Sequence, residues 1–308
     1  MSNEPIHFDF NEIERVSVDV AAVEKYTRNG QFMGLSVELL KEVAALATVL
    51  ACTYHLDDLK RPRNWSRNEA ILSGLLVRVA KLYHGYLDQV CQHRGEIAGI
   101  LFRPLMETLI NLKFLLSKKG DAMFDEFIEY SLREEKKLHQ KIERNIIARG
   151  GEELPIEKRM KASIERAFKK SGFTHEQVNE ESRASWGGSI FKRAQAVGME
   201  EAYSSIMGLP SHSVHGNWQD LITNHLEYEE DGSFTPNTDW SDSRPQAPFA
   251  LALVSVAIGQ EYLEKVIPEY HEKKQIKERL DNLMVRIAVA DELHEKFIQS
   301  RQVKKIEK

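Results

Sequence analysis

Apolar residues recur at helical intervals along almost the whole chain, and what changes from stretch to stretch is how much of each helix they cover. Over residues 32–56, Leu35, Leu39, Leu40, Val43, Leu46, Ala47 and Leu50 return every three or four positions, which gathers them on one helical face. After the turn Arg61-Pro62-Arg63-Asn64 a second helix is predicted from about 65 to 93. Ser66 or Asn64 caps it, and Ile71, Leu75, Val79, Leu82, Tyr86 and Val90 point inward. Residues 97–116 are apolar at nearly every angle, the pattern of a helix covered on all sides. Pro104 inside that stretch cannot donate an amide proton, so the helix either kinks there or starts there.

Beyond Gly120 the composition shifts. Residues 121–151 are helical but charged, with a narrow stripe of Phe124, Phe127, Ile128, Leu132 and Leu138, and a second charged helix follows over 155–171. Neither has apolar surface for two buried faces, so the pair reads as a protruding helical hairpin. A short helix is expected at 174–181 and another over 191–207, broken at Gly198. Gly208-Leu209-Pro210 then opens a helix carrying Ser211, His212, His215, Gly216 and Trp218. Residues 229–246 form one long loop. Pro248 opens an apolar helix to about 267, and 271–308 is an amphipathic, highly charged helix. With no strand-period run, the expected fold is all-α, a multi-helix bundle. Residues 1–30 are a polar lead-in with a short helix at 10–26, 31–268 the bundle with a charged hairpin insertion at 119–185, and 269–308 a C-terminal helix.

An apolar share of 42%, a charged share of 29% and a formal net charge of -5 fit a soluble cytoplasmic globular protein without a global nucleic-acid footprint. Two cysteines, Cys52 and Cys91, exclude a disulfide framework. The first ten residues carry no secretory pattern, and the longest clean apolar run, 247–259, is too short to cross a bilayer, so no membrane association is expected. The basic residues Lys113, Lys118, Lys119, Arg159, Lys161, Lys169, Lys170 and Arg193 alternate with acids and read as solvated helix faces, or else as a weak phosphate patch. The narrow stripes on the charged helices suit subunit packing, hence a homodimer.

Two groups of residues carry candidate chemistry. Arg103, Glu107 and Asn111 lie four apart, along one stripe of the most apolar helix. A charge buried there needs a partner elsewhere in the chain. His212 and His215 lie three apart on a predicted helix face, and Gly216 beside them suggests a close backbone approach. Histidine moves protons near neutral pH, and a guanidinium stabilises a developing phosphate anion. His215, Arg103 and Glu107 are therefore the candidate catalytic residues, supported by His212, Ser211 and Asn111. The alternative is a non-catalytic interaction or regulatory module whose polar stripe only fixes helix register. No Glu-x-x-His, Gly-rich phosphate loop or H-E-x-x-H occurs, so neither metal nor cofactor is expected, and Trp186-Gly187-Gly188-Ser189 reads as a turn.

Arg103-Pro104-Leu105-Met106-Glu107, continuing to Asn111-Leu112-Lys113-Phe114-Leu115, with Ser211 four residues before His215-Gly216, resembles an uncharacterised all-helical bacterial family. Its members pair an R-x-x-x-E helix with a later S-x-x-x-H-G helix, and the resemblance covers about residues 30–225. That family looks distantly like the HEPN ribonucleases and abortive-infection proteins of anti-phage defence. The resemblance implies metal-independent RNA cleavage or a toxin role, with RNA and an operon-encoded protein as partners. HEPN ribonucleases carry an arginine, four to six intervening residues and then a histidine on one helix. Arg78–His84 and Arg133–His139 meet that spacing, against about two matches expected by chance. Neither arginine is followed by a small polar residue: Val79 and Glu134 stand there. Arg133–His139 reads as a solvated face, and Arg78–His84, beside the core, is kept as an alternative site.

Overall fold

In a computed structural model of the chain, residues 12–53, 55–56, 62–204, 214–269 and 271–306 are described. The fold is all-α, a multi-helix bundle, and the chain divides into two compact units, one of them Ser117–Ala196. In the larger unit Leu39, Leu40, Leu46 and Leu50 of α2 (Asn29–Cys52) are all but inaccessible, while Leu35 of the same stripe is half-buried. Against α2 pack α3 (Arg67–Cys91), α8 (Gln246–Val266) and α9 (His271–Ile306), and α4 (Gly95–Leu116) packs on α3 and α8. Ser66 caps α3, accepting from the Glu69 amide at 3.4 Å while Glu69 accepts from the Ser66 amide at 2.7 Å. Ser66→Ala removes one of these reciprocal bonds, and denaturant unfolding should show a loss of about 1 kcal/mol.

The inner face of α3 is rotated by one residue from the predicted stripe. Leu72, Leu76 and Tyr83 are buried where Ile71, Leu75 and Leu82 were expected, while Val79, Tyr86 and Val90 are buried as predicted. Tyr83 explains part of that turn: its hydroxyl donates to Leu251 O at 3.1 Å and meets Ser255 Oγ on α8, a destination only an inward-facing phenol can reach. Burial pushes its pKa up, so it stays a neutral donor.

Several predicted boundaries move. In the lead-in the chain forms α1 (Val20–Val23), capped by the Asp19 carboxylate on the Ala21 amide at 3.0 Å, and residues 14–19 are not helical; the part of the predicted 10–26 helix before residue 12 lies outside the described residues. Ile13 and Val16 instead spend their backbone groups on α9 and α2. Arg279 Nη2 donates to Ile13 O at 2.7 Å, and the Val16 amide donates to Glu42 Oε2 at 3.1 Å. The expected loop at 229–246 contains a strand, because β3 (Leu226–Tyr228) pairs with β4 (Phe234–Pro236) as an antiparallel hairpin. Asp231 and Gly232, the latter at φ 86°, turn it. Another short antiparallel pair joins β1 (His55–Leu56) to β2 (Pro62–Arg63). His294 on α9 is fully buried among the rings of Phe32, Phe249 and Phe297, with neither ring nitrogen hydrogen-bonded among the described residues. Burial lowers its pKa and holds it neutral.

The second unit holds α5 (Ala122–Ala148), α6 (Pro155–Ser171), a 3-10 turn at His175–Gln177 and α7 (Ile190–Ala196). Phe124, Ile128, Leu132 and Ile142 of α5 are buried, whereas Leu138, predicted in the same stripe, is exposed. The helix predicted over 174–181 shrinks to that single turn. Lys136 pulls the chain away after it, donating to Val178 O at 2.8 Å and pairing with Glu180 at 2.6 Å. That lysine and Gln140 hold the Glu180 carboxyl down to about 2.

Candidate functional site

The stripe Arg103–Glu107–Asn111 is not buried. α4 runs through Pro104 without starting there, and its polar stripe is half-exposed, with the Arg103 side chain 24% and the Glu107 side chain 35% accessible. Three sides of the helix carry the fully buried Leu105, Met106, Leu109 and Leu112, and the fourth opens to solvent at Ile100, Arg103, Glu107 and Asn111. Dense apolar content made this helix look enclosed, yet an Arg, a Glu and an Asn at i, i+4 and i+8 suffice to solvate one strip. Partial exposure lowers the desolvation cost of these charges and leaves them reachable.

On that strip Arg103 Nε donates to Glu107 Oε1 at 3.0 Å, and Arg103 Nη1 lies 3.3 Å from His215 Nε2. A guanidinium only donates, so Nε2 is the acceptor and the imidazole proton sits on Nδ1. Arg103, Glu107 and His215 are thus brought together in one unit and on one surface, since His215 is itself exposed. Glu107 fixes the plane of the guanidinium, because the Nε bond it accepts leaves the Nη face turned to the imidazole.

The segment carrying His215 departs from the predicted single helix. Ser211 and His212 lie outside the described residues. Val214 and His215 are helical, but Gly216 takes φ 54° and Asn217 is extended, so the helix stops there. Gly216 serves this turn, and among the described residues nothing lies within 4 Å of where its Cβ would be, so none of them makes the close backbone approach that was expected. Asn217 starts a new turn at Trp218–Asp220, its side chain accepting from the Asp220 amide at 3.2 Å. A π-turn, Leu221–His225, carries the chain into β3. Asp220 is buried beneath it, accepting from Asn224 Nδ2 at 2.9 Å and facing His225 Nε2 at 3.4 Å. Asp220, Asn224 and His225 were not singled out from the sequence; the usable signal was Asn217 three residues before Asp220, an N-cap spacing.

The start of α4 is also fixed by distant chain. The Gly95 amide donates to Ser241 O at 2.7 Å, and the Ser241 amide donates to Glu96 Oε1 at 2.9 Å. A Cβ on Gly95 would stand 2.5 Å from Ser241 O, which explains glycine at that position.

The alternative arginine–histidine pairs fare differently. Arg78 Nε donates to Thr108 Oγ1 at 3.1 Å, tying α3 to α4, while His84 is exposed and six residues on, about 120° away around α3. Arg78 and His84 therefore do not share a face. Arg133 is no solvated residue: it donates to Ser182 O at 3.5 Å, to Ala184 O and to Glu129 at 3.2 Å, holding the second unit's loop. Arg193 likewise leaves the basic set, buried over the Trp186 ring and donating to Trp186 O at 2.7 Å and Gly188 O at 2.6 Å. Among the described residues no group of three or more His, Cys, Asp or Glu could hold a metal ion, and no helix is long and apolar enough to cross a membrane.

The class these features define is a helical protein with an exposed Arg–Glu–His constellation between α4 and the segment after α7. A model described as a family of unknown function (DUF5677) matches residues 69–234, more than half of the chain. The chain belongs to that family, and the matched span contains Arg78, His84, Arg103, Glu107, Asn111, Ser211, His212 and His215. No curated protein and no solved structure matches it.

Proposed function

We propose that this protein is a divergent, metal-independent ribonuclease of the defence or toxin type, with Arg103, Glu107 and His215 as its working residues. The observation that carries this reading is the 3.3 Å approach of Arg103 Nη1 to His215 Nε2 on a solvent-exposed surface. An arginine and a histidine in contact supply the two things that RNA transesterification needs. His215 Nε2, released when a phosphate takes over the guanidinium, accepts the proton of the ribose 2′-hydroxyl. The 2′ oxygen bonds to phosphorus, the P–O5′ bond breaks, and the imidazolium returns its proton to the departing 5′ oxygen. Arg103 balances the charge of the pentacoordinate phosphate. Glu107 acts through Arg103 as a positioning residue. The R-x-x-x-E and S-x-x-x-H-G motifs resemble those of an uncharacterised helical family that is distantly like the HEPN and abortive-infection proteins, and that resemblance favours the same class with RNA as the partner.

Induced expression tests the biological half of the reading. Wild-type protein is expected to arrest growth, and His215→Ala and Arg103→Ala to relieve the arrest while melting as the wild type does. Equal growth of all three strains would leave a non-catalytic helical module.

A further inference from the structure

Exposed apolar side chains gather in one stretch of the larger unit. Of the sixteen large apolar side chains that are exposed among the described residues, seven lie between Val214 and Trp240. Three of their rings form a row. Trp218 meets Phe234 edge-on, with centroids 5.5 Å apart, and Phe234 meets Tyr228 across the hairpin at 5.3 Å. In spite of these contacts Trp218 remains 58% and Tyr228 71% exposed. Strand alternation puts residues 228 and 234 on one face of the hairpin, with Glu227 and Thr235 on the other. Aromatic area left open in this way on a folded domain marks a surface that meets a partner.

Charge identifies the partner's chemistry. Residues 214–243 hold seven carboxylates and no lysine or arginine. Two of the seven are taken up by histidine: Asp220 is buried against His225, and Asp242 meets His93 Nδ1 at 2.7 Å. At the hairpin, Glu229 accepts from Thr235 and Asp231 from Ser233, and no lysine or arginine among the described residues pairs with either, or with Glu227 or Glu230. Exposed carboxylates elsewhere do find lysines, as Glu264 finds Lys277 at 2.6 Å and Glu292 finds Lys296 at 2.7 Å. The rings repeat the pattern. Four tryptophans and tyrosines are exposed among the described residues. Arg133 stands 5.6 Å over Tyr130 and Arg94 5.6 Å over Trp240, while Trp218 and Tyr228 have no cation over them. A guanidinium satisfies ring and carboxylate together, because its flat face stacks on the π-cloud while its edge donates to oxygen. Rings in contact with one another leave no cage between them for a small ammonium ligand, so the row presents a face for an extended segment.

We propose that the Trp218–Phe234–Tyr228 face is the docking surface for an arginine-bearing segment of a partner protein, whose guanidinium groups lie on the rings within the field of the hairpin carboxylates. Arginine suits this face better than lysine, since an ammonium is a compact, strongly hydrated point charge that gains less from a ring. Opposite charge on the two surfaces speeds their encounter and makes the binding weaken with salt. The proposal is independent of the chemistry at Arg103 and His215.

The test titrates the full chain into a short fluorescein-labelled peptide of alternating arginine and glycine, read by anisotropy, beside versions with lysine or uncharged citrulline in place of arginine. The arginine peptide should bind more tightly than the lysine one, and the citrulline one should not bind. Trp218→Leu and Tyr228→Leu should each weaken the arginine peptide by about 2- to 5-fold with unchanged melting temperatures. Glu227→Gln combined with Glu230→Gln should weaken it too and flatten its salt dependence. Glu278→Gln combined with Glu292→Gln removes the same charge from exposed positions on α9 and should leave the affinity as it was. Ring variants that bind as tightly as wild type overturn the proposal. Equal affinity for the lysine peptide, or an equal loss from the α9 pair, also overturns it, since net negative charge alone would then explain the binding. So does a ring variant that lowers the oligomeric state in sedimentation while its peptide affinity is unaltered, because the face would then join two copies of the chain.

Discussion

Glu42→Gln is expected to destabilise the larger unit by about 3–5 kcal/mol, measured by denaturant unfolding, more than any surface change in the molecule. The Glu42 side chain on α2 is wholly inaccessible. Arg279 Nε reaches its Oε1 at 2.8 Å, and Arg286 reaches both oxygens at 2.7 and 2.8 Å. The Val16 amide completes the shell. Replacing the carboxylate leaves two guanidinium groups in a poorly hydrated place with nothing to neutralise them, and the cost is that of the uncompensated charges. The same residues hold the lead-in, since Arg279 and Arg286 also donate to the carbonyls of Ile13 and Val16. Burial alone would raise the Glu42 pKa, but Arg286, the Val16 amide and Arg279 outweigh it and hold the carboxyl below its ordinary value. A depressed folded-state pKa contributes stability that is present above the unfolded value, about 4.3, and is lost as pH falls through the folded value. Wild type should therefore lose stability steeply below about pH 4, and Glu42→Gln, having nothing left to protonate there, should lose less over the same interval.

The second large effect is on activity. On the ribonuclease reading proposed above, His215→Ala should lower the rate of RNA cleavage by about 10²- to 10⁴-fold, the contribution of a positioned acid–base group. Arg103→Ala should cost about 10²- to 10³-fold through lost stabilisation of the phosphate charge. Both side chains are at the surface, so neither change should move the melting temperature appreciably. Arg103→Lys keeps the positive charge but lacks the forked donors that bind Glu107 and His215 together, and its activity should fall between wild type and Arg103→Ala. On the same proposal the pair acts on one phosphate, so the double variant should be little slower than the worse single one.

Much of this architecture was legible in the amino-acid pattern. Three- and four-residue spacing located every long helix, and Ser66 was one of the two caps the sequence offered for α3. Local rules served well where local chemistry decides. They failed where a distant contact decides. The face of α3 turned because Tyr83 finds Ser255 across the core, and the Glu42–Arg279–Arg286 cluster spans more than two hundred residues of sequence. The Leu226–Pro236 hairpin is too short for a periodic signal, and its aromatic alternation is visible only once Tyr228 and Phe234 are known to be paired. At the site, spacing placed Arg103 and Glu107 on one face correctly. It misjudged their surroundings, because a helix rich in leucine can still leave one strip to solvent. The approach of His215 depends on a turn at Gly216 and Asn217 that helix periodicity does not foresee.

The catalytic role proposed for the Arg103–His215 pair is tested most directly by the ends of the RNA it would leave. Purified protein incubated with single-stranded RNA in excess chelator should yield 2′,3′-cyclic phosphate and 5′-hydroxyl ends, and His215→Ala should yield almost none. Intact RNA with the wild type, or identical products at an identical rate from His215→Ala, would contradict that role.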